Sequence, residues 1–303
     1  MLQGIHHVTA ITGDAPGSVR FHAGVLGLRL VKKTVNHDEP GVYHLYFGDE
    51  DGRPRTLLTF FEVPGAAPGQ PGGGMFHGVI WRVPSTTSLD FWETRLHDHQ
   101  VAMERSDERL LLHDPEGLVH VLVAGGELHD DRPAAAAGVP REHALREIIG
   151  VDALSMAPER SRAALVEGLG MADLGGVIAC GSGDHVGRVR VHPEVMSRGM
   201  SGGGTIHHVA FACPDADHRV WRSRLDERRL GPTQIVDRIY FRSIYVREPG
   251  GLLVEVASMG PGMAADEDPD TLGESLALPT WLEPHREAIG ARLTPLHNPR
   301  ATH

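Results

Sequence analysis

The sequence predicts an α+β fold made of four copies of one strand–helix–strands unit. Three observations predict it. The same order of patterns recurs four times along the 303 residues. The first and last copies open on nearly the same words, GIHHVTAI and TIHHVAFA, and the Pro- and Ala-rich stretch GELHDDRPAAAAGVPREH separates the second copy from the third. Recurrence of one supersecondary unit marks duplication, and a stretch of that composition reads as a linker. The expected organisation is an N-terminal pair of units over 1–128, a linker over 129–146, a C-terminal pair over 147–258 and a tail over 259–303.

Each unit follows from its local pattern. MLQGIHHVTAIT alternates as a strand, with His7, Thr9 and Ile11 on one face and His6, Val8 and Ala10 on the other. Asp14-Ala-Pro starts a helix that runs to Leu26 and stops at Gly27. VYHLYFGD and TLLTFFEV are strands divided by the turn-forming DEDGRPR. In the second unit MFHGVIWRVP is a strand, STTSLDFWETRLHDH a helix and RLLLHDPEGLVHVLVAG a hairpin. The third is fainter: EIIGVDALSMAP, the helical ERSRAALVEGLG, then GGVIAC and GRVRVHP. The fourth has a strand at TIHHVAFACP, a helix from Asp215 to about Arg229 and the hairpin YFRSIYVREPGGLLVEVAS. After Ser258 a tail of turns, with one helix at about Leu282–Leu293, is expected to pack across the outside.

Composition narrows the function. Hydrophobic content of 41% and charged content of 23% suit an ordinary globular chain with a sizeable core. A formal net charge of -11 with no basic block argues against nucleic acid. Cys180 and Cys213 are too few for a disulfide framework. No apolar run is long enough to span a bilayer, and MLQGIHHVTA lacks a basic start and a long apolar core. The expectation is a cytoplasmic protein that binds neither nucleic acid nor membrane. Twenty histidines invite a metal reading, although several, as in LHDHQ, sit in exposed contexts.

The stretch Gly204–Glu255 carries the chemistry. It places His207 and His208 at the start of one strand and a lone acid, Glu255, inside the apolar run LLVEVA. A carboxylate there is costly to bury unless something cationic meets it. Two imidazoles and a carboxylate from separate strands suit a divalent metal.

The phrases GVLGLRLVKKTVNHDEPGVYHLYFGDE, TLLTFF, GTIHHVAFACP, DRIYFRSIYVREPGG and LPTWLEP span nearly the entire chain. With them, a βαβββ repeat bearing a histidine on its first strand and a glutamate on its last resembles the vicinal oxygen chelate superfamily. That superfamily includes glyoxalase I, extradiol dioxygenases and antibiotic-resistance proteins. The chain is most similar to its ring-cleaving dioxygenases of the hydroquinone type. The resemblance implies two cupped half-barrels, each built from a pair of modules.

Lining up the first strands puts His7, His77 and His208 in equivalent places, with Asp152 or Ala153 in the third unit. On the last strands Glu255 lines up with Val121 in the second unit and with Phe60 or Phe61 in the first, and GRVRVHP has no acid. Given the paired half-barrels that the resemblance implies, modules one and four are expected to pair around a metal held by His7, His208 and Glu255, and modules two and three to pair without one. His77 is read as a half-buried structural residue.

The resemblance also places His6, His207, Thr9, Arg238 and Tyr245 around the ligands as catalytic-site residues, with Tyr245, Arg238 and His207 stabilising oxygen anions or moving protons. Strand alternation alone points His6 and His207 away from the metal. Without the resemblance, Tyr245 also reads as a core aromatic and Arg238 as a solvated turn charge. Two histidines and one carboxylate leave positions open, as in non-haem Fe(II) oxygenases, with Mn(II) the other metal to consider. The activity implied is Fe(II)-dependent cleavage of a hydroquinone or catechol-like ring by O2. A homo-oligomer is compatible with it, since paired half-barrels commonly associate. Two other readings stay open. One is a lyase or isomerase of the glyoxalase type, for which Glu62 is the candidate second carboxylate. The other is a metal-free protein that sequesters a drug or aromatic.

Overall fold

The computed structural model describes residues 1–125, 132–183, 185–193, 197–298 and 300, so the first three linker residues, 129–131, lie outside the described residues. Each module contains βαβββ. The first has β1 (Ile5–Thr12), α1 (Ala15–Val19), β2 (Arg29–Val35), β3 (Tyr43–Gly48) and β4 (Leu57–Glu62). The second has β5 (Met75–Val83), α2 (Thr86–Asp98), β6 (Met103–Arg105), β7 (Arg109–His113) and β8 (Val119–Ala124). The third has β9 (Ile148–Leu154), α3 (Pro158–Ala163), β10 (Ala172–Asp173), β11 (Val177–Cys180) and β12 (Gly187–Val191). The fourth has β13 (Ile206–Cys213), α4 (His218–Glu227), β14 (Val236–Asp237), β15 (Arg242–Arg247) and β16 (Leu253–Ser258).

Two eight-stranded sheets result. One runs β14-β15-β16-β13-β1-β4-β3-β2 and the other β10-β11-β12-β9-β5-β8-β7-β6. Modules one and four therefore share a sheet through antiparallel β1 and β13, and modules two and three share the other through β5 and β9. Each sheet takes one module from either side of the linker.

The sequence pattern explains the pairing. Along β1, Val8 and Ala10 join the apolar core that also holds Phe60 of β4, Phe211 of β13 and Val19 and Phe21 of the first helix. The alternate residues His7 and Thr9 face the other way, into the cup, and all eight residues of the strand are buried. The Asp14 side chain accepts from Gly17 N–H, which starts α1. That helix continues as a π-helical segment over Arg20–Val25 before Gly27 turns the chain with φ +71.

Two elements differ from the sequence reading. RLVKKTV pairs with β3 as a strand of its own, β2, although two adjacent lysines interrupt its apolar pattern. Lys32 is nonetheless fully buried, because Asp266 lies 2.6 Å from its Nζ, Glu267 bonds it as well, and the Tyr240 ring sits 4.6 Å away. Those carboxylates belong to the tail, which does not simply cross the outside. Met263 and Leu272 pack with Tyr46, Leu57, Ala210, Phe241 and Ala257 in a second apolar cluster on the cup side. The tail helix is shorter than expected, α5 at Arg286–Gly290 after a 3-10 turn over Glu283–His285.

Candidate metal centre

The register of β1 and β13 organises the site. His7 pairs with Ala210 and Thr9 with His208, about a local two-fold at Val8 and Val209. The histidines are thereby brought from positions 201 residues apart to an Nε2–Nε2 distance of 3.3 Å. β16 runs parallel to β13 with Glu255 beside Ala210, so its carboxylate rises between the two rings. Glu255 Oε2 lies 3.0 Å from His208 Nε2 and 3.4 Å from His7 Nε2, and all three side chains are buried.

The same two-fold corrects one sequence alignment. Thr9 pairs with Thr59 as Ala210 pairs with Glu255, so Thr59, and neither Phe60 nor Phe61, is the first module's counterpart of Glu255. On the neighbouring strands Tyr46 pairs with Thr59 and Tyr245 with Glu255. A single carboxylate results because its mate is a threonine. Glu62 lies elsewhere on the cavity wall and accepts the Tyr43 backbone N–H at 3.0 Å.

Polar neighbours fix the three groups. His6 Nδ1 is 2.9 Å from His7 Nδ1, and His207 Nδ1 is 2.8 Å from His208 Nδ1. Alternation alone places His6 and His207 on the far face. Adjacent rings nevertheless meet edge-on, at 81° and 78°, and a register shift between Ile5 and His7 loosens strict alternation there. Ser243 Oγ–H donates to Glu255 Oε1 at 2.6 Å, which leaves Oε2 as the atom facing the rings.

The electrostatics suit a cation. Burial lowers His6 to about 3 and His207 to about 4, each reinforced by the neighbouring ring, His7 or His208. Burial also lowers His208 despite the Glu255 charge. Burial disfavours the charge on Glu255, but His7 and His208 outweigh it and hold the carboxyl well below its usual range. With the ring protons displaced, two imidazole nitrogens and an ionised carboxylate would present three lone-pair atoms to one point. Among the described residues the fully buried Glu255 Oε2 has no well-formed hydrogen bond, and what stands beside it are the two ring nitrogens. A buried carboxylate oxygen so placed is what a metal ion would satisfy.

Around this point lies a cavity of about 510 Å³, lined by His44, Tyr46, Phe61, Arg238, Phe241 and Tyr245 among others. Arg238 Nε–H donates to Tyr245 Oη at 3.2 Å, and the guanidinium stands 5.5 Å over that ring. Burial and the Glu255 charge push the Tyr245 phenol up, so it stays protonated at neutral pH. Thr9 is fully buried and bonds Thr59 Oγ1 at 2.8 Å. His77 is half-buried and pairs in register with Asp152 of β9. Sequence reasoning missed His44 and Tyr46. Their i, i+2 spacing in VYHLYFGD was the available signal, since it puts both on one strand face.

A second trio, His22, Asp114 and His120, also converges in the interior. Here the chemistry disfavours a metal. Trp81 Nε1–H donates to His120 Nδ1 at 3.1 Å, so neutral His120 carries its hydrogen on Nε2 and offers no lone pair there. Ligating histidines show the opposite polarity, donating their second N–H outward.

Residues 4–110 match the profile of the Glyoxalase/Bleomycin resistance protein/Dioxygenase superfamily. Over 297 residues the chain is 38% identical to MhqE of Bacillus subtilis, named as a candidate ring-cleaving dioxygenase, covering 95% of this chain and 97% of that one. It is 33% identical over 301 residues to the chlorohydroquinone/hydroquinone 1,2-dioxygenase of Sphingobium indicum, covering 93% of each. A crystal structure of a candidate dioxygenase from Bacillus subtilis superposes with a TM-score of 0.92 at 37% identity over 98% of both chains.

Proposed function

This chain belongs to the Glyoxalase/Bleomycin resistance protein/Dioxygenase superfamily, and on that footing we propose that it is a non-haem Fe(II)-dependent dioxygenase that opens a hydroquinone or catechol-like ring. His7, His208 and Glu255 would hold the iron. The observation that carries this is the convergence of His7 Nε2, His208 Nε2 and the buried Glu255 Oε2 within 3.4 Å of one another. When bound in such a set, iron supplies open coordination positions and a path for electrons from the ring to dioxygen. Cleavage beside a hydroxyl-bearing carbon then leaves both atoms of O2 in the product.

The chain's own groups supply the rest. For His7 and His208 to offer Nε2 lone pairs, their hydrogens sit on Nδ1 and are donated to His6 and His207. His6 and His207 thus fix tautomer and ring orientation. Phe61 and Phe241 give an aromatic ring flat apolar walls. Arg238 places a fixed positive charge beside Tyr245, and the protonated Tyr245 is a donor, so together they favour an anionic substrate oxygen.

The test is anaerobic reconstitution with Fe(II), followed by oxygen uptake against a panel of hydroquinones and catechols. The expected result is one O2 consumed per ring opened, with both atoms of ¹⁸O2 in the product. Iron-loaded protein that opens no ring in the panel refutes the reading, as does a His208→Ala protein that keeps both its iron and its activity. Failure to take up stoichiometric metal would favour a sequestering protein.

A further inference from the structure

A line of hydrogen bonds crosses the first module's half of the cup. Thr9 Oγ1 is 2.8 Å from Thr59 Oγ1, Thr59 Oγ1 is 3.1 Å from His44 Nε2, and His44 Nδ1 is 3.1 Å from the Tyr46 hydroxyl. Thr9, Thr59 and Tyr46 are buried, and His44 and Tyr46 both line the cavity. Burial keeps His44 neutral.

The direction of this line follows from counting hydrogens. Three hydroxyls and one neutral imidazole carry four hydrogens, and three links use three of them. One hydrogen is left over; leaving it on Thr59, with Thr9 and His44 both donating to that oxygen, would strand a hydroxyl that is fully buried. If the line ran inward from Tyr46, the spare would be the Thr9 hydroxyl, which is fully buried and has no other hydrogen-bond partner among the described residues. If it runs outward, Thr9 donates to Thr59, Thr59 to His44 Nε2, and His44 Nδ1–H to the Tyr46 oxygen. The spare is then the Tyr46 O–H, at the cavity wall. Buried donors are almost always paired, so the outward direction prevails.

The pseudo-symmetry agrees independently. Tyr46 occupies the place that Tyr245 occupies in the other half, since each is the cross-strand neighbour of an equivalent residue, Thr59 or Glu255. In each half an ionisable or polar group also bonds the phenol: Arg238 for Tyr245, His44 for Tyr46.

We propose that Tyr46 is a further substrate-contacting residue, whose hydroxyl is held by the Thr9–Thr59–His44 line as a donor to an oxygen of the bound aromatic. His44, Thr59 and Thr9 act through it and are positioning residues. The ligand class is a phenol or phenolate. The proposal rests on the cup being the aromatic-binding site, but its test needs no oxygen chemistry.

That test is equilibrium binding of 4-nitrophenol and of nitrobenzene to the metal-loaded protein without oxygen. Tyr46→Phe, which keeps the ring and its packing, is expected to weaken 4-nitrophenol roughly tenfold or more and to leave nitrobenzene unchanged. Thr59→Val keeps the phenol but frees its direction, and is expected to fall between wild type and Tyr46→Phe. Unchanged 4-nitrophenol affinity in Tyr46→Phe overturns the proposal. So does a wild-type protein with no preference for 4-nitrophenol over nitrobenzene, or a Thr59→Val protein weaker than Tyr46→Phe. The proposed activity fails by a separate result, absence of ring opening by iron-loaded wild type.

Discussion

Thr59 stands in the first module where Glu255 stands in the fourth, each beside the same position of a histidine-bearing strand. One half of the cup thus contributes a histidine and a hydroxyl, and the other a histidine and a carboxylate. Thr59→Glu would test the consequence. The new carboxylate enters beside Thr9 and faces the other three groups, filling a position that dioxygen or substrate needs. The expected protein retains its metal, gains a fourth protein ligand by X-ray absorption and loses turnover. Undiminished ring cleavage would show that the position is not open in the native site.

Direct and indirect support of the metal should separate by degree. His208→Ala removes a lone pair, whereas His207→Ala removes the acceptor that orients it. The second change is expected to weaken metal binding by about 10–100-fold, and the first by more. Competition against a graded chelator series checks the order. Equal losses would make His207 and His208 indistinguishable and remove the basis for their different roles.

Much of this was legible before any coordinates, and the limits have physical causes. The two HH words and the lone acid in LLVEVA stand out because charge and imidazole are rare in buried strands. The pairing of modules one and four was reachable once the resemblance implied paired modules, because the third module has neither a histidine on its first strand nor an acid on its last. What was hidden depends on register. His44 and Tyr46 face Thr59 only once β3, β4 and β1 are aligned, and no local pattern states that alignment. The contacts of His6 and His207 were hidden because alternation describes Cβ directions, while their bonds run ring edge to ring edge. β2 was obscured by Lys32, whose burial depends on carboxylates more than 230 residues away.

That lysine carries a stability prediction. Its Nζ meets Asp266 and Glu267, the first partly exposed and the second nearly buried. Removing one partner of a buried ionic group typically costs about 3–5 kcal/mol, and partial exposure of Asp266 argues for the lower end. Lys32→Met is expected to lower stability by about 3 kcal/mol in denaturant titration. Residues around Met263 and Leu272 should also exchange amide hydrogens faster. A protein of unchanged stability would mean the tail is held by its apolar contacts alone.

Metal stoichiometry distinguishes the two buried trios. The polarity set by Trp81 leaves His120 without a lone pair on Nε2, so one ion per chain is expected. His120→Gln should leave metal content unchanged, and His208→Ala should abolish it. Two ions per wild-type chain, falling to one in His120→Gln, would show that the Trp81 bond yields to a metal.

The interior trio should instead be visible in acid. Burial lowers His22 to about 4 from 6.5, so its contribution to stability is complete above pH 6.5 and is lost as pH falls toward 4. Asp114 behaves oppositely. Burial raises it from 3.8 to about 6, so its contribution is complete below pH 3.8 and is lost as pH rises through 6. Between pH 4 and 6 the two slopes oppose each other. Asp114→Asn keeps a side-chain oxygen for the Leu118 and Glu116 backbone N–H groups but removes the titrating carboxyl. The His22 slope is then unopposed, and stability should fall more steeply with acid, by up to about 1.4 kcal/mol per pH unit. Denaturant titrations from pH 7 to pH 4 measure that slope directly. Parallel curves for the two proteins would mean that Asp114 ionises normally and that its burial is relieved by solvent.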